Sequence, residues 1–431
     1  MVVRGRLSHW SGGVIVAGLA VALCAGIFVT ASSAARSSPA HHNAEIVARR
    51  AAAARALAAQ KAVLVAGVTI LPAAGATNVP LDTPIVVTSA RGPLRAASVV
   101  STNGTELAGS LASSRRWVAA RPLAPNTVYV VSATAMLKGV RATATASFRT
   151  LTPSGYVTAS IFPSEGMTVG VGEPVVVRFP TPITSGMARA AVLSHISVRE
   201  SKPVAGGWLW FSSTELHFRP ALPWPAGEKV TVHANLDGWS AGGGTWGFGA
   251  QLVHFSVGDA HVSIANLAID QMTVTDNGRV IATYPISGGR PSLPTMNGIH
   301  IVMDRESVVR MISSSNGVPV NSPDGYDELV YDDVHISDSG EYVHAAPWSV
   351  GAQGHTNVSH GCINLSPQNA AAFMAFSRVG DIVQVVGSPR PAVGGDHGVM
   401  DWDTVWTAWT HVPAFVPPKS PPPPPPVVRA R

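Results

Sequence analysis

One thiol and two imidazoles carry most of the chemistry that this sequence offers. Cys362 stands in the run Ser359-His360-Gly361-Cys362-Ile363-Asn364, and 14 residues separate His344 from Ser359. The only other cysteine, Cys24, lies inside an N-terminal apolar run. An unpaired thiol in an oxidising compartment is a liability unless its reactivity is used. A free thiol has a pKa near ~8.5, so it needs an adjacent base to act as a nucleophile at neutral pH. His344 and Cys362 therefore read as base and nucleophile. Gly361 lets the backbone approach a reacting carbonyl, and the amides of Gly361 and Cys362 are candidate oxyanion donors. Asn364 is a candidate to hold the turn through its side-chain amide. Two blander readings compete, a buried small hydrophobe and a zinc ligand. Zinc requires four ligands at paired spacing, which one cysteine with scattered histidines supplies poorly.

The elements around these residues read as strands. Val262–Ile269, Met272–Val274, Val280–Pro285, Gly298–Met303 and Ser307–Met311 precede a polar Gly- and Pro-containing segment, Ser313–Leu329. A loop of that length inside a compact domain is typically functional or disordered. After the cysteine, Ser366-Pro367 reads as an N-cap with proline in the first helical turn, opening a helix over Gln368–Phe376. Asp381–Val386 reads as a further strand. Trp402, Trp406 and Trp409 fall at i, i+4 and i+7, so a single helix face carries three indoles and is expected to dock on the catalytic domain. Pro417 to Pro426 forms a stiff tail.

Composition bounds the rest. The 431 residues are rich in Gly and Pro and poor in charge, which fits several β-rich domains. From Asp259 to His411 there are 16 acids and 6 Lys/Arg, a formal −10, whereas the remainder of the chain is +15. The basic part offers neither a helix nor an aromatic platform to read bases, so no nucleic acid is expected as a partner. Arg4 and Arg6, the apolar stretch Val14–Thr30 and the small residues 31–35 read as a secretory signal or an uncleaved anchor, making a membrane tether one expectation. Leu23 stands where a lipobox before Cys24 requires a small residue.

Seven segments follow: a signal at 1–35, an Ala/Arg-rich linker at 36–62, immunoglobulin-like domains at 63–153 and 154–258, a catalytic domain at 259–388, a Trp-rich extension at 389–413 and a Pro-rich tail at 414–431. An X-Pro before a β-branched run, a later Arg-Pro and a closing Phe recur in the two immunoglobulin-like segments. Trp117, Trp208, Trp210 and Trp224 are expected to pack these domains rather than to stack on glycans.

The string from His344 to Asn364 resembles the signature of the YkuD-type L,D-transpeptidases, in the actinobacterial form with two immunoglobulin-like domains before the catalytic one. The resemblance extends to Asn297-Gly298-Ile299, to Gly317–Pro323 with Gly325-Tyr326, and to the stretch from His344 to Pro367, covering about residues 65–413. It implies a mainly β chain: two β-sandwiches followed by a YkuD-like β-rich domain with short helices. It implies that Cys362 is acylated by a peptidoglycan tetrapeptide stem with release of D-Ala, that His344 is the base and that a diaminopimelate amine accepts. It places Tyr326, in a lid over the cysteine, at the oxyanion, and Ser339, Gly340, Asn357, Trp348 and Met311 around the donor. His360 is assigned to positioning the turn. Carbapenems are implied as covalent inhibitors, no cofactor or metal is implied, and the envelope is the implied location. Relatives have serine after the catalytic histidine; Ala345 stands there, which a contact through the backbone carbonyl tolerates. A carboxypeptidase, a wall-binding scaffold and a zinc protein using His344, His355, His360 and Cys362 stay open at this point.

Overall fold

The computed structural model describes residues 39–119, 122–392 and 396–411. The expected signal with Cys24, Arg121 and the Pro-rich tail lie outside the described residues. Pro39–Ala66 forms one 28-residue helix. Its alanines have the highest intrinsic helix propensity, and near its end Leu64 is buried in the core of the first sandwich. Among the described residues no helix is long and apolar enough to cross a membrane.

From Val63 to His411 the described residues form one compact unit, and it is mainly β. The first sandwich pairs a sheet ordered Val68–Leu71, Val86–Ser89, Arg116–Ala119, Gly109–Ser113 with one ordered Glu106–Leu107, Leu94–Ser101, Val128–Leu137, Val140–Arg149. Alternation drives this folding. In Val128–Leu137, Tyr129, Val131, Ala133 and Ala135 point inward, joining Trp117 and Phe148 in one core, while the intervening residues face out. The second sandwich pairs Ser160–Phe162, Val175–Arg178, Glu215–Pro220 and Gly206–Trp210 with Thr168–Val169, Ala250–Val257, Lys229–Asn235 and Ile196–Glu200. Trp210 and Trp224 are buried in its core and Trp208 packs against it, as expected of packing residues.

The catalytic region follows without a linker. Ile382 belongs to the core of the second sandwich, and backbone docks on backbone. The Gly170 amide donates to the Val379 carbonyl at 2.7 Å. A Cβ at position 170 would sit 2.1 Å from the Asp381 nitrogen, so only glycine fits this approach. A five-stranded sheet, ordered Arg279–Pro285, Gln271–Asp276, His261–Asn266, Ile382–Val386, Gly298–Ile301, faces a four-stranded one ordered Asp304–Ile312, Asp327–Ser337, Glu341–Ala345, Ile363–Leu365. The helix Pro367–Phe376 closes the core with Ala370 and Phe373. Ser366 caps it as expected, accepting from the Asn369 amide, an arrangement that contributes about 1 kcal/mol.

The Trp-rich extension differs from expectation. It is two short helices, Met400–Asp403 and Trp406–His411, and its indoles dock on the second sandwich rather than the catalytic domain. Trp402 Nε1 donates to the Gly172 carbonyl (2.7 Å) and Trp409 Nε1 to the Gly207 carbonyl (3.0 Å). The cause is Arg219: its guanidinium lies 4.9, 5.1 and 4.6 Å from the rings of Trp402, Trp406 and Trp409. It also donates to the Thr404 carbonyl at 2.7 Å, between the two helices. The extension also bonds to the edge of the five-stranded sheet, the Asp403 carboxylate accepting from the Ile299 amide at 3.0 Å and the Gly398 carbonyl from the Ile301 amide at 2.6 Å.

Candidate active site

Two parallel strands make the site. Glu341–Ala345 pairs with Ile363–Leu365 in the register Val343↔Ile363, His344↔Asn364, Ala345↔Leu365. Val343, Ala345, Ile363 and Leu365 fill the core. Because side chains alternate along a strand, His344, Asn364 and Cys362 turn to the opposite face. There they line a cavity of about 270 Å³ with Met311, Tyr326, Glu328, Val330, Trp348, Val358, Ser359 and His360. A larger cavity, about 690 Å³ and bordered by Asp82, His195 and His233, contains no thiol.

His344 is buried, and its Nδ1 lies 3.0 Å from the Ala345 carbonyl. A carbonyl only accepts, so Nδ1 carries the proton and Nε2 is left as the basic atom. The substitution of serine by alanine after the histidine thus leaves the orienting contact intact. Burial lowers the His344 pKa, keeping the ring neutral. Burial also pushes the Cys362 thiol up to about 12, against the backbone amides of Tyr342 and Cys362, which favour the thiolate. The resting pair is a neutral thiol and a neutral imidazole.

The turn before Cys362 is built by Ser359. Its Oγ donates to the Cys362 carbonyl (2.6 Å) and accepts from the Gly361 amide (3.1 Å). Gly361 has φ +140°, open to glycine and costly for other residues. The Gly361 amide, expected as an oxyanion donor, is therefore already engaged. The Tyr342 amide, which the sequence did not flag, faces the sulfur instead.

The other expected residues divide. Met311, Tyr326 and Trp348 line the cavity, and the Trp348 and His344 rings are 6.1 Å apart. The Asn364 amide donates to Ser349 Oγ at 3.0 Å, holding the Pro347–Ser349 turn that carries Trp348 rather than the turn before the cysteine. Gly340 reaches Cys362 through its carbonyl, 3.8 Å from Sγ. Ser339 and Asn357 are not in the cavity lining. Asn357 accepts from the Gly288 amide (2.6 Å) and donates to the Leu267 carbonyl (2.9 Å), so its side chain braces a neighbouring loop. His360 accepts from Arg290 at 3.2 Å, Arg290 also pairs with Asp324, and the His360 ring lies 5.0 Å from that of Tyr326. It links the cysteine turn to the loop over the cavity. That loop is pinned at its ends, with Ser313 N–H donating to the Tyr326 carbonyl and Tyr326 N–H to Ser313 Oγ.

Glu341 was missed altogether. It is buried beside Gly361, accepts from the Met296 amide (2.8 Å) and Arg390 (2.7 Å), and its pKa is raised to about 7, mainly by burial. Convergent groups of three or more potential metal ligands among the described residues are Glu215–His217–His397 and Asp259–His261–Asp276. Neither contains Cys362, so the zinc alternative built on that cysteine finds no geometry.

A thiol and a tautomer-fixed imidazole that line one cavity define a cysteine–histidine site. Two family models match the chain: "Bacterial Ig domain" over residues 76–240 and "L,D-transpeptidase catalytic domain" over residues 260–385. L,D-transpeptidase 2 of Mycobacterium tuberculosis is 41% identical over 336 residues, 78% of this chain and 82% of that protein. L,D-transpeptidase 5 of the same species is 32% identical over 365 residues, 81% of this chain and 77% of that protein. A solved structure of the LD transpeptidase LdtMt1 in complex with imipenem is 39% identical, covering 54% of this chain and 100% of the other at a TM-score of 0.48. The chain belongs to the L,D-transpeptidase family.

Proposed function

We propose that the chain forms 3→3 peptidoglycan cross-links through a thioester on Cys362. His344 Nε2 takes the thiol proton as Sγ attacks the carbonyl joining meso-diaminopimelate to the terminal D-Ala of a tetrapeptide stem. The tetrahedral oxyanion is held by the Cys362 amide and by Tyr326 from the overlying loop. Collapse breaks the C–N bond, and the imidazolium returns its proton to the departing D-Ala amine. The acceptor's side-chain amine then enters, His344 removes a proton from it, and the C–S bond breaks to regenerate the thiol. Trp348 and Met311 shape the donor channel. The observation that supports this reading is that His344, on the strand Glu341–Ala345, and Cys362, immediately before the parallel strand Ile363–Leu365, line one cavity.

The same thiol accounts for a second proposal, that carbapenems acylate Cys362. A relative 39% identical is described in complex with imipenem, and L,D-transpeptidase 3 of Mycobacterium tuberculosis, 33% identical, with a faropenem-derived adduct. The enzyme works at the envelope, where stem peptides are present; the N-terminal apolar run is the proposed export signal.

The full chain incubated with a disaccharide-tetrapeptide tests the reaction. The expected product is a dimer lighter than two monomers by one D-Ala, read by mass spectrometry. Tripeptide alone would replace transpeptidation with L,D-carboxypeptidase activity, and unchanged substrate with a reduced thiol would overturn both.

A further inference from the structure

A second cluster of ligand-type side chains sits outside the catalytic cavity, where the second sandwich meets the C-terminal extension. The strand Glu215–Pro220 carries Glu215 and His217 two residues apart, hence on one face. His397 approaches them from the extension. Glu215 Oε2 is 3.4 Å from His217 Nε2 and 3.4 Å from His397 Nε2, and all three atoms lie within 4.8 Å of one another. Phe211 stacks on His217 with ring centroids 4.6 Å apart and packs against the tilted ring of His397 at 4.3 Å. From these contacts we infer that Glu215, His217 and His397 bind one divalent transition-metal ion, with zinc the best fit.

Three features favour a cation. First, charge-assisted hydrogen bonds are short, about 2.7–2.9 Å, and both 3.4 Å contacts are longer. Zinc–nitrogen and zinc–oxygen bonds of ~2.0–2.1 Å in a tetrahedron set ligand–ligand edges of about 3.3–3.4 Å. Second, His217 Nδ1 lies 2.9 Å from the Asp401 carboxylate. That contact commits Nδ1–H to the carboxylate and points Nε2 at the cluster, where the metal replaces the Nε2 proton on binding, the arrangement that supports metal-bound histidine. Third, the other oxygen of Glu215 is taken by Arg178 at 2.6 Å, so Oε2 is the one aimed at the two imidazoles. Three protein ligands leave the fourth position open, as in catalytic-type zinc sites, with Asp338 Oδ2 bordering the group 3.7 Å from His397 Nε2.

The location gives the site a consequence. Asp396, next to His397, accepts from the amides of Asp338 (2.8 Å) and Ser339 (3.1 Å). This turn leads to Gly340, whose carbonyl faces Cys362 Sγ. A metal at the junction therefore clamps the sandwich, the extension and the turn behind the nucleophile into one piece, and takes no part in acyl transfer.

The full chain, stripped by chelator and titrated with Zn²⁺ alone, tests this. Calorimetry and metal analysis are expected to give one equivalent per chain, with a rise in thermal midpoint, and Co²⁺ to give visible bands of tetrahedral nitrogen and oxygen ligation. Asp401→Asn should weaken binding about 10–100-fold, and His397→Ala by more. If circular dichroism shows His397→Ala misfolded, Glu215→Gln serves in its place. Cys362→Ala should leave the stoichiometry unchanged. Absence of stoichiometric binding, undiminished binding by His397→Ala or Glu215→Gln, or a cobalt–thiolate band lost in Cys362→Ala would each overturn the proposal.

Discussion

Two buried histidines, His344 and His217, occupy opposite electrostatic surroundings. Burial penalises the charged form of both. At His344 the ring partner is the Ala345 carbonyl, so burial wins and the pKa falls. At His217 the carboxylates of Asp401 and Glu215 outweigh burial and raise the pKa to about 9. The contrast shows how one residue type is put to two uses. A base that must take a proton from a neutral thiol is kept free of carboxylates. The junction between domains instead concentrates charge: His217 with two acids, Glu215 with Arg178, and Arg219 among three indoles.

The comparison breaks most sharply at the nucleophile. Cys362→Ala is expected to abolish turnover while circular dichroism and thermal midpoint stay close to the parent; retained turnover would move the nucleophile elsewhere. His344→Ala should lower kcat by about 10²–10⁴-fold, the usual contribution of a general base. Because the His344 pKa lies below the ordinary 6.5, the acid limb of the pH–rate profile should fall below that value. Protonation of His344 as pH drops removes the base, so a midpoint at or above 6.5 would contradict a carboxylate-free site.

On the junction side, effects should appear in stability rather than chemistry. Trp409 is 1% exposed, and Trp409→Ala should cost about 3–5 kcal/mol by denaturant unfolding without moving the acid limb. A shift of that limb would show that the two regions are electrically coupled. Asn364→Ala, which removes the bond to Ser349, is the smallest change. Ser349 Oγ keeps its bonds to the Ala346 carbonyl and Gln353, so the change should cost about 0.5–1.5 kcal/mol, one hydrogen bond, and raise KM more than it lowers kcat as the Trp348 wall loosens.

That Cys362 and His344 share one cavity was legible because a short string puts His344 on one strand and Cys362 just before the next, where period-two alternation decides their facing. Ser366-Pro367 was legible for a similar reason, since capping is local chemistry. What escaped depends on contacts distant in sequence. The Trp face was assigned to the wrong partner because Arg219, nearly two hundred residues earlier, is what the indoles surround. Asn357 was placed at the substrate because its sequence does not reveal that Gly288 and Leu267 occupy both ends of its amide. The Gly361 amide was counted as free because the Ser359 hydroxyl that takes it can rotate elsewhere. Glu341 gave no sign of burial in a strand whose neighbours are apolar.

The central claim is that Cys362, activated by His344 from a neutral pair, carries the acyl group. The most direct measurement is intact-protein and peptide mass spectrometry of the full chain after brief exposure to tetrapeptide stem without acceptor. The account predicts a tripeptidyl adduct, the donor less D-Ala, on the peptide containing Cys362, absent from Cys362→Ala and slowed in His344→Ala. An adduct on any other residue, or product formed with Cys362 unmodified and replaceable, would contradict it.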